Sequence, residues 1–496
     1  MNWNEIDSVI VPTNSSFEPS LIFKRGERDK GGIGPALVAG TAYFYRVAAV
    51  NARGQQSDWS DYKTNPTPAV TGRILFPVLV VPNNTLVNET TCLDIKSGKP
   101  LCSTIYSAQS SFYEAIDMRY GLTGPHTYRW PEPISFGREG AEIFANVTEF
   151  QEGGIVVDCL GHRCFEYCPE PLYTNDMTTR CFSPARLTGI TFRNARTDGV
   201  EDHGAVLRVV AAVDPLQRRM MVITDCIFTG NYVNSGNGGA LWMEAKRGTA
   251  AVWIINTKFQ DNGVFGGDGG ALAVDGTDLN IESSTFLNNF AKKSGANFNN
   301  TTTAAQDNME NTNTSNTDEY TNSSTTIPSI VIDVNGNGGA LAIIASSIGS
   351  VANMWTCDIS ANTAEGLGGG VYVIESKYVV NLVALKPKSS LLRERVAFNM
   401  DGNKAQMGGN LYAESSEIEF LLDSSDPPIG IAANLKNGVA TDFGGGIACI
   451  GSVMQLRHAA LNSNVAGLDG GAVYGILCIA SIHISDVKQN KATRMG

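Results

Sequence analysis

The chain is 496 residues long, with 52 glycines, a formal net charge of −12 and 17% charged residues. An acidic balance of this size argues against a nucleic-acid binder, which carries a basic stripe, and an apolar fraction of 43% excludes disorder of the whole chain. Collagen needs Gly at every third position, whereas these glycines cluster.

Residues 1–9 carry Glu5 and Asp7 and no apolar run, so they do not read as a signal peptide. The best apolar runs, 74–81 and 472–484, are too short to span a membrane. Eight Asn-x-Ser/Thr sequons stand at Asn14, Asn83, Asn88, Asn146, Asn299, Asn300, Asn313 and Asn322. Six of the ten cysteines fall between Cys92 and Cys181. Sequons and clustered cysteines together point to an oxidising, extracellular or cell-surface setting, and the missing signal peptide then predicts a fragment of a longer precursor.

Within residues 1–70, Tyr43, Tyr45, Val47 and Ala49 alternate with Phe44, Arg46, Ala48 and Val50, the period of a strand. The run from Leu37 through Gly40-Thr41-Ala42-Tyr43-Phe44-Tyr45-Arg46-Val47 to Asn51 resembles the last strands of a fibronectin type III domain. It covers about half of such a β-sandwich, so the expectation is a partial module that the chain enters midway.

Residues 71–190 read as a Cys-rich cap and first coils. Cys159-x2-His162-x-Cys164-x3-Cys168, with Cys181 beyond, has zinc-ligand types but no standard zinc spacing. Disulfides are the simpler reading, and Cys92, Cys102, Cys159, Cys164, Cys168 and Cys181 are the candidates, in any of about 15 pairings. Asp198 to Gly204, with Glu201, Asp202 and His203, is the one compact acid–His cluster; its plain reading is a turn carrying solvated charge.

From about residue 190 a repeat takes over. One element is Gly-Gly-small-apolar, at Gly238-Gly239, Gly269-Gly270, Gly338-Gly339, Gly369-Gly370, Gly445-Gly446 and Gly470-Gly471, with Gly408-Gly409-Asn410 as a degenerate copy. The second is Phe-x-x-Asn: Phe228 to Asn231, Phe259 to Asn262 and Phe286 to Asn289, with weaker forms ending at Asn362, Asn464 and Asn490. Second-Gly spacings of 31, 69, 31, 39, 37 and 25 place an insertion in the second interval. Each unit holds short alternating strands and turn residues, too little to bury a face alone. Stacking units as coils pairs the strands in parallel and closes one core. The predicted fold is all-β: a right-handed parallel β-helix of roughly ten coils, about 50 Å long, after the partial fibronectin-like sandwich. Its coils should occupy 191–292 and 329–496. Residues 293–328, dominated by Asn, Thr and Ser, should form a disordered, glycosylated loop. Cys226, Cys357, Cys449 and Cys478 read as buried thiols, with a Cys449–Cys478 bridge as the alternative.

The paired elements resemble the repeats of chlamydial polymorphic outer-membrane proteins and of large surface proteins of algae and other protists. The resemblance covers about 150–490 and implies an extracellular passenger or scaffold, often adhesive or self-associating; it carries over no catalytic residue, cofactor or metal. The expected function is therefore structural, a rod assembling with itself or with other surface or matrix proteins. A glycan-binding adhesin is the alternative, and a polysaccharide lyase or hydrolase comes third. Two β-helix hydrolase signatures, Gly-His-Gly and Arg-Ile-Lys, are absent, and Asn-Thr-Asp occurs only at Asn316-Thr317-Asp318 in the polar loop. Asp333-x-Asn335-x-Asn337 matches half a calcium loop, but Ile344 stands where the bidentate Glu is needed. Asp268 and Asp469, before their Gly pairs, are read with it as turn residues.

Overall fold

In the computed structural model the described residues are 119–136, 142–145, 154–167, 185–199, 202–212, 219–247, 250–293, 336–345, 350–382, 398–422, 433–483 and 485–495, with a few two- or three-residue strands before them. The chain divides into two compact units, 1–78 and 79–496. In the first, Ala42–Tyr43 pairs antiparallel with Gly72–Arg73; the rest of the fibronectin-like segment lies outside the described residues.

The second unit is a parallel β-helix. Four sheets of thirteen, eleven, ten and nine strands run along it, and successive coils contribute neighbouring strands to each. One coil passes through Ala250–Ile255 on the first sheet, Lys258–Gln260 on the second, Gly263–Phe265 on the third and Leu272–Asp275 on the fourth. Thr277–Glu282 then pairs in parallel with Ala250–Ile255 and opens the next coil. The eleven strands of the second sheet count eleven coils, from His126–Arg129 to Asp486–Lys488. No helix is found among the described residues, and none is long and apolar enough to cross a membrane.

A coil closes because its corners hold residues that tolerate the left-handed conformation. In the coil above these are Asn256 (φ 46°), Asp261 (54°), Gly269 (71°) and Gly276 (62°). The second Gly of each pair is required for a different reason. A Cβ on Gly270 would sit 2.1 Å from the carbonyl oxygen of Gly339 in the next coil. The register differs by one residue from the reading above at two places. In Gly368-Gly369-Gly370 and Gly444-Gly445-Gly446 the first two glycines form the pair, since Gly368 and Gly444 have positive φ. The third takes the small-residue position, and Val371 aligns with Leu341.

Inside, the rows repeat. Phe192, Phe228, Phe259 and Phe286 stack with centroids 5.2, 4.9 and 4.7 Å apart and are fully buried. At the corner between the second and third sheets, Asn231, Asn262, Asn289, Asn362 and Asn403 form a buried amide ladder, each Nδ2 donating to the next Oδ1 at 2.9–3.0 Å. Each Oδ1 also accepts the backbone N–H of the preceding Asn, and each Nδ2 also donates to a carbonyl one coil back. A hydroxyl ladder marks the corner between the fourth and first sheets, where Thr277, Ser350, Ser376 and Ser416 donate their N–H groups to Ser350, Ser376, Ser416 and Ser452 Oγ.

Cysteines take hydroxyl positions at such corners. Cys226 and Cys357, free and buried, donate from Sγ to the carbonyls of Thr224 (3.3 Å) and Trp355 (3.1 Å). Thr257 and Ser284 make the same bond to Ile255 and Glu282. Burial pushes both thiols up to about 12. The other two cysteines depart from the buried-thiol reading: Cys449 and Cys478 are joined in a disulfide linking the last two coils, with Cα atoms 6.3 Å apart. Cys449 points inward from the fourth sheet and Cys478 occupies the adjoining corner, so the two meet across one coil step.

The 69-residue spacing has a structural location. Phe290–Lys292 and Leu341–Ile344 are the third- and fourth-sheet strands of one coil, so the polar insertion leaves between those sheets; 294–335 lie outside the described residues.

Candidate functional site

Side chains alternate in and out along a strand, so the residue after each Gly-Gly-Ala-Leu faces outward on the fourth sheet. In register this outer row reads Glu166, Arg208, Trp242, Ala273, Ala342, Tyr372, Tyr412, Ala448 and Tyr474. The residues just before the Gly pair flank it. Leu367, Met407 and Phe443 pack against Tyr372, Tyr412 and Ala448, forming a second apolar cluster outside the barrel wall. Toward the N-terminal coils the flanking row becomes His203, Asn237, Asp268 and Asn337, and its side chains cap backbone N–H groups of the next coil. Asn237 N–H donates to His203 Nδ1 (2.8 Å), Asp268 N–H to Asn237 Oδ1 (2.8 Å), Asn337 N–H to Asp268 Oδ1 (2.9 Å) and Leu367 N–H to Asn337 Oδ1 (2.8 Å).

Of the acid–His cluster, Glu201 lies outside the described residues; Asp202 and His203 sit at this polar end, braced by Arg163. That guanidinium is buried and bonded to the Glu166 and Asp202 carboxylates and to the carbonyls of His203 (2.9 Å) and Gly204 (3.2 Å). His203 stacks on Trp242, centroids 4.6 Å apart and planes 23° apart. Burial, followed by the positive charges of Arg208 and Arg163, pushes His203 down to about 4. It is therefore neutral at pH 7. With Nδ1 accepting from Asn237, its proton lies on Nε2. Burial raises Asp268 to about 7 against the lowering effect of its bonds to Asn337 and Gly336. Asp202 is held by Arg163, and Asp198 pairs with Arg196 (2.7 Å) at the surface. The solvated-turn reading holds for Asp198 but not for His203, whose ring is packed into the fold. Arg163 and Trp242 escaped the sequence reading because neither belongs to a repeated element. The signal for Trp242 was its place directly after Gly-Gly-Ala-Leu.

The other candidate residues are dispersed. Cys159 is bonded to Cys164, so neither is available as a zinc-binding thiolate, and His162 between them is exposed. Cys92, Cys168 and Cys181 lie outside the described residues, and Cys102 is placed only by its strand, Leu101–Cys102. Of the sequons, Asn88 is described only by its strand Val87–Asn88; Asn14, Asn83, Asn146, Asn299, Asn300, Asn313 and Asn322 lie outside the described residues. Asp268 and Asn337 are used as ladder caps, Asp469 is paired with Arg494, and Asp333 and Asn335 lie outside the described residues. Among the described residues no three His, Cys, Asp or Glu side chains gather as a metal site.

No family model and no curated protein matches the sequence. Among solved structures, ORF18 of Geobacillus virus E2 aligns over 77% of this chain at 9% identity and a TM-score of 0.26, a likeness too low to carry an argument. This chain spans 57% of that one's length.

Proposed function

We propose that this is an extracellular structural protein, a rigid β-helical rod that assembles with itself or with other surface or matrix proteins into a fibre, coat or appendage. The observation that carries this reading is the amide ladder, which continues to Asn490 even where the repeat degenerates. A ladder of this kind fixes the coil-to-coil register, so the rod resists bending and slippage. Eleven coils at the strand spacing make it about 50 Å long. The two disulfides among the described residues suit an oxidising compartment. Electron microscopy of cross-linked material from the native source should find regular fibres or arrays; isolated monomers at every concentration would sink the proposal.

A glycan-binding adhesin is the second reading, favoured by the outer face of the first sheet. There Trp253 and Trp355 lie half-buried with ring centroids 6.3 Å apart and planes within 9°, beside a bond from Asn353 Nδ2 to Asn280 Oδ1 (3.3 Å). Near-parallel indoles beside amides can take a sugar ring's apolar face and its hydroxyls. Glycan-array binding lost in Trp355→Ala would support it, and a silent array would remove it.

A further inference from the structure

The polar end of the outer row holds two donors that nothing among the described residues satisfies. Arg208 Nε and Trp242 Nε1 are both closed off from solvent and have no hydrogen-bond partner. They occupy consecutive coils of one row, directly opposite each other in register, and Trp242 is only 4% exposed. Buried N–H groups in a folded protein are nearly always paired, and an orphan points to a missing water, ion or ligand. Two orphans side by side point to one acceptor shared between them.

The surroundings narrow the acceptor's chemistry. Each nitrogen of Arg163, one coil earlier, already has a partner among Glu166, Asp202 and two carbonyls. Glu166 stands opposite Arg208 in register, but its Oε1 is committed to Arg163 rather than to Arg208. A guanidinium binds an oxyanion side-on through Nε and one Nη, and Nε is the orphan. Arg208 is half-buried rather than enclosed, so part of its side chain reaches solvent. Neutral His203, stacked on Trp242 with its proton on Nε2, is a further donor beside the site. The next outward row carries Glu244 and Asp275, again opposite each other, and the whole chain is acidic. These charges repel a polyanion but tolerate a single charged group.

We propose that Arg208 and Trp242 form a binding site for one oxyanion group, a carboxylate or a sulfate, gripped by Arg208 Nε–H and Nη–H with Trp242 Nε1–H as the third donor. A uronic acid or sulfated sugar is one source of such a group, and a free inorganic anion the other. The site is independent of the scaffold reading and does not need the rod to assemble.

The test uses the full chain labelled with 15N at the tryptophan indoles, with Trp242→Phe identifying the Trp242 resonance. Sulfate, glucuronate and neutral glucose are titrated separately, with calorimetry for affinity. The Trp242 indole signal should move with sulfate or glucuronate and not with glucose. A response to glucuronate alone assigns a carboxylate sugar, and a response to sulfate assigns a sulfate group or the free ion. Arg208→Lys keeps the charge but lacks Nε, and should weaken binding about tenfold or more. Trp242→Phe should weaken it about threefold to tenfold, and because Arg208→Lys changes an outward-facing, half-buried position it remains a usable variant if Trp242→Phe misfolds. An indole signal unmoved by both anions, or an affinity unchanged in Arg208→Lys, overturns the proposal.

Discussion

Asn410 offers the sharpest test of how the solenoid is held together. Seven coils supply the ladder amide from the same corner position, but the coil of Ala433–Lys436 has Gly438 there. The gap is filled from elsewhere: Asn410, in the degenerate Gly-Gly copy, turns its side chain into the space. Asn403 Nδ2 donates to Asn410 Oδ1 (2.8 Å), and Asn410 Nδ2 donates to Asn464 Oδ1 (3.2 Å), which restores the ladder. Gly438 is required by this arrangement, since a Cβ there would lie 2.6 Å from Asn410 Nδ2 and 2.3 Å from the Gly445 carbonyl oxygen. Asn410→Ala isolates the amide's contribution, because Ala already occupies the same position as Ala271, Ala340 and Ala472 and fits the backbone. The substitution strands one buried Asn403 N–H, worth about 1–3 kcal/mol, and leaves an unfilled amide-sized space. The expected loss is about 2–4 kcal/mol. Urea unfolding followed by circular dichroism measures the total. Native-state hydrogen exchange should locate the loss in Phe398–Asp401 and Ala433–Lys436. A change below about 0.5 kcal/mol, the ordinary size of a surface substitution, would refute the claim that the ladder is continuous through Asn410.

Four further outcomes follow from the same geometry. Gly438→Ala should destabilise at least as much as Asn410→Ala in the same urea assay, because its Cβ meets a backbone carbonyl that cannot swing aside. Phe259→Ala, at the centre of the stacked row, should cost about 3–5 kcal/mol in the same assay. Asp268 titrates near 7 in the fold, so its contribution is full at low pH and is lost as pH rises through that value; His203, pushed down to about 4, contributes above about pH 6.5 and loses this as pH falls. The two oppose each other between pH 7 and 4. Asp268→Asn, which keeps the ladder cap, should raise melting temperature above pH 7 by a stability of a few kcal/mol and steepen the decline on acidification. Reducing Cys449–Cys478 should raise hydrogen exchange in Val473–Ile476 and Ile479–His483 while leaving Ala250–Ile255 unchanged; equal exchange in both would show that the bridge does not anchor the final coil.

What the sequence made legible was the inward-facing part. Phe, Asn and Gly-Gly recur because the same interior corner and core position recur in each coil, and a recurring physical demand leaves a recurring letter. Where the demand is met by a different residue, the signal fades: Met400 replaces the Phe before Asn403, and the pair does not stand out. Asn410 looked like decay of a Gly-Gly-Ala copy, yet it compensates for Gly438 on the next coil. The link between them is spatial, so neither residue explains the other along the chain. The triple-glycine runs admitted two registers, and only the positive φ of Gly368 and Gly444 chooses. The Cys449–Cys478 bridge was one of two readings, since spacing alone does not say that an inward strand position and the neighbouring corner approach each other.

The outer rows were illegible for the opposite reason. An outward position can meet the next coil through several kinds of contact, so each coil can carry its own residue at little cost to the fold. Along the row before the Gly pairs the chemistry changes twice, from His203, Asn237, Asp268 and Asn337 to Leu367, Met407 and Phe443, and back to a polar residue at Asp469. The first four hold the coils by side-chain caps on backbone N–H groups; the next three do so by burying apolar area against Tyr372, Tyr412 and Ala448. Either device would serve along the whole rod if holding coils together were the only demand. The polar one returns at Asp469, whose Oδ1 accepts the Met495 N–H (3.0 Å), but only in the early coils does it stand beside the buried Arg163, the neutral His203 and the unmatched donors of Trp242 and Arg208. A cap made of apolar side chains could not hold His203 against Trp242 or sustain a charged group beside it. A polar cap alone therefore does not mark the proposed site; what sets the early coils apart is the cap together with Arg163, the stacked His203 and the unmatched donors of Arg208 and Trp242.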